Sequence, residues 1–85
     1  MKVYYSSKFY REYKKLSKEV KSDAEKAERL FRQNPFHPKP KTHQLLGRLR
    51  DFWAFSINFR YRIIFEFVNG KTIWFHSVGD HRIYR

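Results

Sequence analysis

The feature that most limits the fold of this chain is the lack of cysteine in a length of only 85 residues. A chain of this size buries only about two-thirds of the surface that it exposes when unfolded, so a small core has to supply most of the stability. Without cysteine, neither a disulfide nor a cysteine-based metal site can contribute. The core must therefore come largely from the nine Phe, six Tyr and two Trp residues, and we expect one domain over residues 1–85.

Charge sets the second constraint. Nineteen Lys and Arg residues stand against eight Asp and Glu residues, which gives a formal net charge of +11 at pH 7. This excess is larger than solubility requires and favours a polyanionic partner. Nucleic acid is the first candidate, because neutralising phosphates releases counterions and gives sequence-independent affinity. An acidic protein partner and a solvated surface without a ligand are the alternatives.

The first residues of the chain, MKVYYSSKFYREYKK, contain no long apolar run. They predict neither a signal peptide nor a membrane span. We therefore expect a cytoplasmic protein with no membrane partner.

The first half of the chain has the pattern of a brief strand followed by two helices. Residues 2–5 are strand formers, and Ser6 or Ser7 can cap a helix. Over residues 7–20 apolar side chains recur at helical spacing, in Phe9, Tyr13, Leu16 and Val20. The spacing continues over residues 23–33, where Ser22 or Asp23 can cap a second helix and Asn34-Pro35 can end it. This pattern predicts a helical hairpin.

The second half has the pattern of strands. All three prolines lie within residues 35–43, which predicts an extended, stiff loop. Apolar residues alternate over 52–57 and 61–67, as in strands. Asn69-Gly70 between two apolar runs predicts a hairpin, with the returning strand at 72–78.

Helices followed by antiparallel strands favour an α+β domain, in which an N-terminal strand precedes a two-helix hairpin packed on one face of a twisted antiparallel sheet. The other face is expected to be open. On strand 61–67, Tyr61, Ile63, Phe65 and Phe67 would face the helices. Arg60, Arg62, Ile64 and Glu66 would share the open face.

Cleavage of RNA without a metal needs a base for the 2′-hydroxyl proton, a cation for the charged phosphorane and an acid for the leaving 5′-oxygen. The chain has four histidines, His37, His43, His76 and His81, mostly in loops or beside basic residues. His76, on the face of Trp74, is a secondary candidate. No histidine pair has helical metal-ligand spacing, and three glycines cannot form a glycine-rich phosphate loop. We therefore expect no metal and no cofactor.

Three residues are the main candidates for this chemistry, and each has a structural alternative. His81 could act as general acid or base, with Asp80 holding it protonated, or be an ordinary loop histidine. Arg62 could hold the scissile phosphate, or pair with Glu66 on a solvated face. Tyr84 could stack on a base or lie near the phosphate, or close the sheet edge as a core residue.

The segment 35–62 carries six basic residues and only one acidic residue. It predicts a rim that grips the RNA backbone, formed by Lys39, Lys41, Arg48, Arg50 and Arg60. The helices carry nine basic and five acidic residues, which is typical of a solvated mixture.

Several short sequence motifs, in their order and spacing, resemble those of the RelE/ParE superfamily of toxins from toxin–antitoxin pairs. The resemblance covers nearly the whole chain. The motifs are Asn34-Pro35, KTHQLLG at 41–47, FWAFSI at 52–57, YRIIFEF at 61–67 and VGDHRIYR at 78–85. The resemblance is nearest to the YoeB and YafQ-like branches. It implies the RelE-like fold, cleavage of mRNA on the ribosome, and a cognate antitoxin as partner.

The resemblance also implies roles for single residues. Arg62 matches the strand arginine that contacts the scissile phosphate, His81 the general acid, and Tyr84 the C-terminal tyrosine that orients or stacks on the substrate. Lys39 stands where YoeB has a glutamate base. The base is therefore open, with His43, Lys41 and Lys39 as candidates and His37 behind them.

Ala54 and Ser56 stand where RelE has two strand lysines, a further departure from the family pattern. One alternative is the ParE branch, which shares the fold but inhibits DNA gyrase by binding. The joint presence of Arg62, His81 and Tyr84 favours the ribonuclease. A non-catalytic RNA-binding module is the second alternative.

Overall fold

The structure is a computed structural model that describes residues 1–84, apart from the side chains of His81 and Tyr84. It contains five strands and two α-helices. In chain order these are β1 (Lys2–Tyr5), α1 (Ser7–Lys14), α2 (Lys18–Gln33), β2 (His43–Gln44), β3 (Trp53–Ser56), β4 (Arg62–Asn69) and β5 (Thr72–Gly79). Short 3₁₀ turns lie at Gly47–Leu49 and His81–Tyr84.

The strands form one sheet in the order β1-β5-β4-β3-β2. β2 to β5 are antiparallel neighbours, whereas β1 lies parallel to β5, so the sheet is mixed and the expectation of a purely antiparallel sheet was wrong for β1. The hairpin predicted from Asn69-Gly70 is confirmed. Its turn is shifted by one residue, because Asn69 pairs with Thr72 and its side-chain oxygen accepts from the Lys71 amide at 2.9 Å.

The helical hairpin is confirmed, but the break between the helices lies earlier than predicted. The first helix ends at Lys14, and the second begins at Lys18 instead of residue 23. Ser17 caps the second helix, since its hydroxyl oxygen accepts from the Val20 amide at 3.2 Å. Ser22, a predicted cap, lies inside α2.

The main core lies between the helices and one face of the sheet. Phe31 of α2 is fully buried; its ring stacks on Phe55 at 4.5 Å and meets the edge of Phe65 at 4.8 Å. Ile63 lies in the same core, and Tyr61 and Phe67 pack against it, as the alternation along 61–67 predicted. Aromatic side chains thus supply most of this core, as expected for a chain without disulfides.

Two polar contacts fix the helices to the strands. The Glu12 carboxylate accepts from the Val78 amide at 3.1 Å and so ties α1 to β5. The Tyr5 hydroxyl donates to Glu28 at 2.6 Å and ties β1 to α2. Partial burial, with the Glu28 contact, raises the pKa of Tyr5.

The face of the sheet away from the helices is not fully open, contrary to the prediction. Ala54 and Ile64 are buried there under Leu45, and Leu49, Phe52 and Ile83 pack against this small second cluster. The loop before β2 was predicted to be extended, and this was wrong, because residues 35–36 and 38–41 form turns. His43 and Gln44 follow these turns and add to the sheet as a short edge strand. Among residues 1–84 no helix is long and apolar enough to cross a membrane.

Candidate functional site

A groove with a volume of about 560 Å³ lies at one end of the sheet. We call it the Arg62 groove. It is lined by Asp23, Lys26, Ala27 and Leu30 of α2, residues 39–41 of the proline-containing loop, residues 56–59, and Arg62. Three separate parts of the chain therefore meet around this groove.

The charge of the Arg62 groove is strongly positive. Lys26, Lys39, Lys41 and Arg62 line it, against the single carboxylate of Asp23. That carboxylate is already a hydrogen-bond acceptor, because Asn58 Nδ2 donates to it at 3.1 Å. The arrangement suits a polyanionic ligand, since the basic side chains are held close together on one concave surface.

Arg62 has a defined orientation in the groove. Its Nη1 donates to the carbonyl oxygens of Asn58 at 2.8 Å and Tyr61 at 3.0 Å. Within the described residues, Nε and Nη2 have no hydrogen-bond partner. This edge of a guanidinium carries two parallel N–H bonds, the geometry that holds two oxygens of one phosphate. Arg62 is thus fixed at one edge and open at the other.

Asn58 builds the loop beside Arg62. Its Oδ1 accepts from the backbone amides of Arg60 and Tyr61, both at 2.9 Å, and its Nδ2 donates to Asp23. The backbone closes the same turn, since the Ile57 amide donates to the Tyr61 carbonyl at 3.0 Å. Asn58 therefore fixes the shape of the loop and holds the loop against α2. Its own backbone carbonyl oxygen also orients Arg62.

His43 lies on β2 and is not among the residues that line the groove. It pairs with Ala54, two residues before Ser56, and Ser56 pairs with Arg62. In an antiparallel ladder, paired residues share a face, so His43 and Arg62 lie on the same side of the sheet.

The hydrogen bond at one ring nitrogen of His43 leaves the other nitrogen able to act as a general base. The Nδ1 atom lies 2.9 Å from the carbonyl oxygen of Lys41, which can only accept. Neutral His43 thus carries its proton on Nδ1 and leaves the Nε2 lone pair available, and Nε2 has no partner among the described residues. Lys41 itself has a φ of 55°, the left-handed region that a non-glycine residue rarely adopts. A strained backbone position thus orients His43, a feature often found at functional sites.

The C-terminal segment begins close to Arg62. Gly79 pairs with Arg62 in the β4–β5 ladder, and His81 follows Gly79 by two residues. The side chains of His81 and Tyr84 lie outside the described residues. The Asp80 carboxylate accepts from Arg82 Nη2 at 2.9 Å and from its Nε at 3.0 Å. These bonds lower the pKa of Asp80 to about 2. Asp80, predicted to hold His81 protonated, is thus held ionised by Arg82.

The predicted basic rim is divided by the fold. Lys39 and Lys41 line the Arg62 groove. Arg48 and Arg50 lie at the exposed 3₁₀ turn near the second cluster, outside the groove. Arg60 is also outside it, over the Tyr61 ring and 3.9 Å from the Asp80 carboxylate.

His76 shares a face of the sheet with Trp74, as predicted, and the structure shows that this face is the one away from the helices. A register shift in the β4–β5 ladder occurs at this residue. The His76 ring lies 3.0 Å from the Glu66 carboxylate and packs against Phe52 and Trp74. Glu66 therefore pairs with His76, and the alternative pairing of Glu66 with Arg62 was wrong.

The groove also contains residues that the sequence did not single out. Lys26 comes from the charged face of α2, which looked like a solvated mixture, and Asn58 and Phe59 come from the turn after β3. In the sequence, the only signal for the turn is Asn58 between two apolar residues. Among the side chains that the structure describes, which exclude that of His81, no group of three or more histidines and carboxylates is placed to hold a metal ion.

Comparison with known proteins shows what this architecture is similar to. No protein-family model and no curated protein sequence matches the chain. Among solved structures, a YoeB/ParE toxin from Agrobacterium tumefaciens matches with a TM-score of 0.78 and 16% identity, over 95% of this chain and 99% of that one. YafQ from E. coli strain BL21(DE3) matches with a TM-score of 0.79 and 17% identity, over 96% and 94%.

This chain has the YoeB and YafQ toxin fold. A structure of the YoeB-YefM complex from Staphylococcus aureus also matches, with a TM-score of 0.76 and 18% identity, over 95% of this chain and 97% of that one. The resemblance to the YoeB and YafQ-like branches that the sequence motifs predicted is thus confirmed for the fold. The toxin fold places Arg62 and the proline-containing loop at one end of the sheet.

Proposed function

We propose that this protein is the toxin of a type II toxin–antitoxin pair and an endoribonuclease that cleaves mRNA on the ribosome without a metal ion. The observation that carries the proposal is Arg62, with one edge of its guanidinium fixed and the other open, in a basic groove of a toxin fold. Such an arginine can stabilise the doubly charged phosphorane formed when RNA is cut.

The reaction starts at the ribose 2′-hydroxyl. His43 Nε2 takes the hydroxyl proton, and the 2′-oxygen attacks the neighbouring phosphorus. The Lys41 carbonyl, which accepts from Nδ1, orients the ring and stabilises the imidazolium as it forms. Arg62 holds two phosphate oxygens through Nε and Nη2.

The bond to the 5′-oxygen then breaks. His81, which follows the ladder partner of Arg62 closely in the chain, protonates this oxygen as general acid. The products are a 2′,3′-cyclic phosphate and a 5′-hydroxyl. Tyr84 orients or stacks on the substrate, the role that the family resemblance gives it.

Basic side chains supply the affinity for the RNA backbone. Lys39 and Lys41 contact phosphates at the groove, and Lys26 adds a third cation from α2. Arg48, Arg50 and Arg60 lie outside the groove and are proposed to contact more distant phosphates. Because all of these contacts are ionic, binding should weaken steeply with salt concentration.

An antitoxin is the proposed protein partner. The matching structures include YoeB in complex with YefM and YafQ in complex with DinJ. An antitoxin segment that covers the Arg62 groove would be acidic, because the groove presents four basic side chains. The proposed activity on ribosomes places the protein in the cytoplasm.

The test is cleavage of ribosome-bound mRNA by the purified protein, in the Mg²⁺ buffer that keeps the ribosome assembled. One sample of the protein is first treated with EDTA and then freed of it, and we expect it to cut as fast as the untreated sample. Arg62→Ala should slow it by about a hundredfold or more, as does removal of one preorganised donor to an oxyanion. The matched control is Arg29→Ala, an exposed arginine on α2 outside the groove, which should cut at the wild-type rate.

Three outcomes would overturn the proposal. They are no cleavage together with inhibition of DNA gyrase, RNA binding without any cleavage, and full activity of Arg62→Ala. His81→Ala is expected to slow cleavage by about a hundredfold while RNA affinity persists, as removal of a positioned acid does. An unchanged rate would remove His81 from the mechanism.

A further inference from the structure

Phe59 is the most exposed large apolar residue of the described chain. Its relative exposure is 92%, in a protein whose other phenylalanines include several that are fully buried. Exposing a whole ring to water is unfavourable, and phenylalanine is among the residues most often buried. Single exposed apolar residues are common on protein surfaces, and Leu46 is 89% exposed, so the exposure of Phe59 has weight only through its surroundings.

A loose loop does not explain it. Asn58, the preceding residue, binds the amides of Arg60 and Tyr61 and the carboxylate of Asp23. These contacts fix the turn on both sides of Phe59 and attach it to α2. The ring is therefore held outward by the fold, in a position that ligand binding need not create.

The Phe59 ring lies at the Arg62 groove. Phe59 lines it together with Lys26, Lys39, Lys41 and Arg62. The Asn58 carbonyl accepts from Arg62, so the residue next to Phe59 also orients the phosphate-binding arginine. An aromatic ring and a phosphate-binding fork thus share one rigid turn, and the groove volume of about 560 Å³ lies in the range of sites for small ligands.

We propose that Phe59 is a nucleobase-stacking residue, which takes an unpaired base of single-stranded RNA next to the phosphate held by Arg62. Proteins that bind single strands combine a basic groove with aromatic rings on which bases stack. This inference rests on the proposed function in taking RNA as the ligand. It adds a positioning contact on the helix side of the groove, separate from Tyr84.

The positive charge around the ring decides between RNA and a protein as the occupant. Four basic side chains line this groove beside Phe59, together with the apolar residues Ala27, Leu30, Pro40 and Ile57, so the net positive charge is what favours RNA over a hydrophobic protein anchor. A single strand of RNA satisfies both features at once, since its phosphates meet the cations and its bases meet the ring.

The first experiment is direct. Phe59→Trp is titrated with a short single-stranded RNA whose 2′-hydroxyls are methylated, so that it cannot be cut. Stacking on a base should quench the added tryptophan fluorescence, after subtraction of the signal of wild-type protein with the same RNA. Leu46→Trp is the matched control, because Leu46 is 89% exposed and lies outside the groove; its fluorescence should change little.

The second experiment measures affinity and cleavage. Phe59→Ala should weaken binding of the same RNA by about tenfold, the loss typical of one stacked base, and Phe59→Tyr should retain it. Stability should not change, because the ring makes little buried contact. Leu46→Ala controls for the loss of an exposed apolar side chain.

The outcomes separate this inference from the proposed function. If wild-type protein cuts RNA and Phe59→Ala binds and cuts as well as wild type, the stacking role is wrong and the ribonuclease stands. If Phe59→Trp is quenched by RNA but wild-type protein does not cut, the ribonuclease is wrong and the stacking role stands. Weaker binding of an acidic protein partner with unchanged RNA affinity would make Phe59 a protein contact and overturn the inference.

Discussion

Asn58→Asp tests whether one residue holds the loop of the Arg62 groove against α2. Aspartate keeps the oxygen that accepts from the Arg60 and Tyr61 amides, but it replaces the donor to Asp23 with a second carboxylate oxygen. The lost hydrogen bond costs about 1 kcal/mol. Two carboxylates at the observed 3.1 Å repel each other, by about 1–3 kcal/mol at an effective dielectric constant of about 40–80. Because the side chains can turn apart, we expect a total loss of about 2 kcal/mol of unfolding free energy.

The assay is urea unfolding at pH 7 of wild type, Asn58→Asp, Asp23→Asn and the double variant. The double variant exchanges donor and acceptor across the same pair, so it should recover most of the loss. For Asn58→Asp the loss should shrink in acid, where protonation of one of the two neighbouring carboxyl groups removes the repulsion. A single Asn58→Asp variant as stable as wild type, or a double variant no better than this single one, would refute the reasoning.

Three further predictions concern the core, the tail and the helix boundary. Phe31→Ala should lower the unfolding free energy by about 4 kcal/mol in denaturant titrations, because the ring is fully buried; a loss below about 1 kcal/mol would contradict the packing. The Asp80 carboxyl should titrate by NMR at a pH of about 2 instead of 3.8, and Arg82→Ala should bring it back towards 3.8. Since this pKa is lowered by folding, the stabilising effect is complete above pH 3.8 and disappears as the pH falls through about 2; a midpoint of 3.8 in the wild type would disprove it. Ser17→Ala should lower the melting temperature through a loss of about 1 kcal/mol, whereas Ser22→Ala should not; equal effects would place the cap elsewhere.

Much of the fold follows from side-chain periodicity, because burial on one face imposes a repeat that the sequence displays. The helical hairpin, strands β3 to β5 and the Asn-Gly hairpin were predicted on this basis. The helix break was misplaced because the apolar spacing from Phe9 to Val20 continues across it, while the Ser17 cap decides the boundary. The parallel pairing of β1 was also missed, since alternation is the same in parallel and antiparallel strands.

The candidate site was predicted only in part. Arg62 followed from strand alternation, and Lys39 and Lys41 from the charge of one segment. Lys26 and Phe59 could not be found in this way, because only the packing of α2 against the loop after β3 brings them to the groove. The free edge of the Arg62 guanidinium was also not predictable. It results from hydrogen bonds of Nη1 to the backbone carbonyl oxygens of Asn58 and Tyr61, and a sequence pattern does not show where backbone oxygens lie.

The central claim is that the Arg62 groove promotes attack by the 2′-hydroxyl of a bound mRNA. The most direct measurement uses a ribosome-bound mRNA with a single 2′-deoxynucleotide at the position that the wild-type protein cuts. We predict that this bond stays intact, while the all-ribose mRNA is cut and leaves a 2′,3′-cyclic phosphate. Cleavage of the 2′-deoxy position at the normal rate would contradict the account.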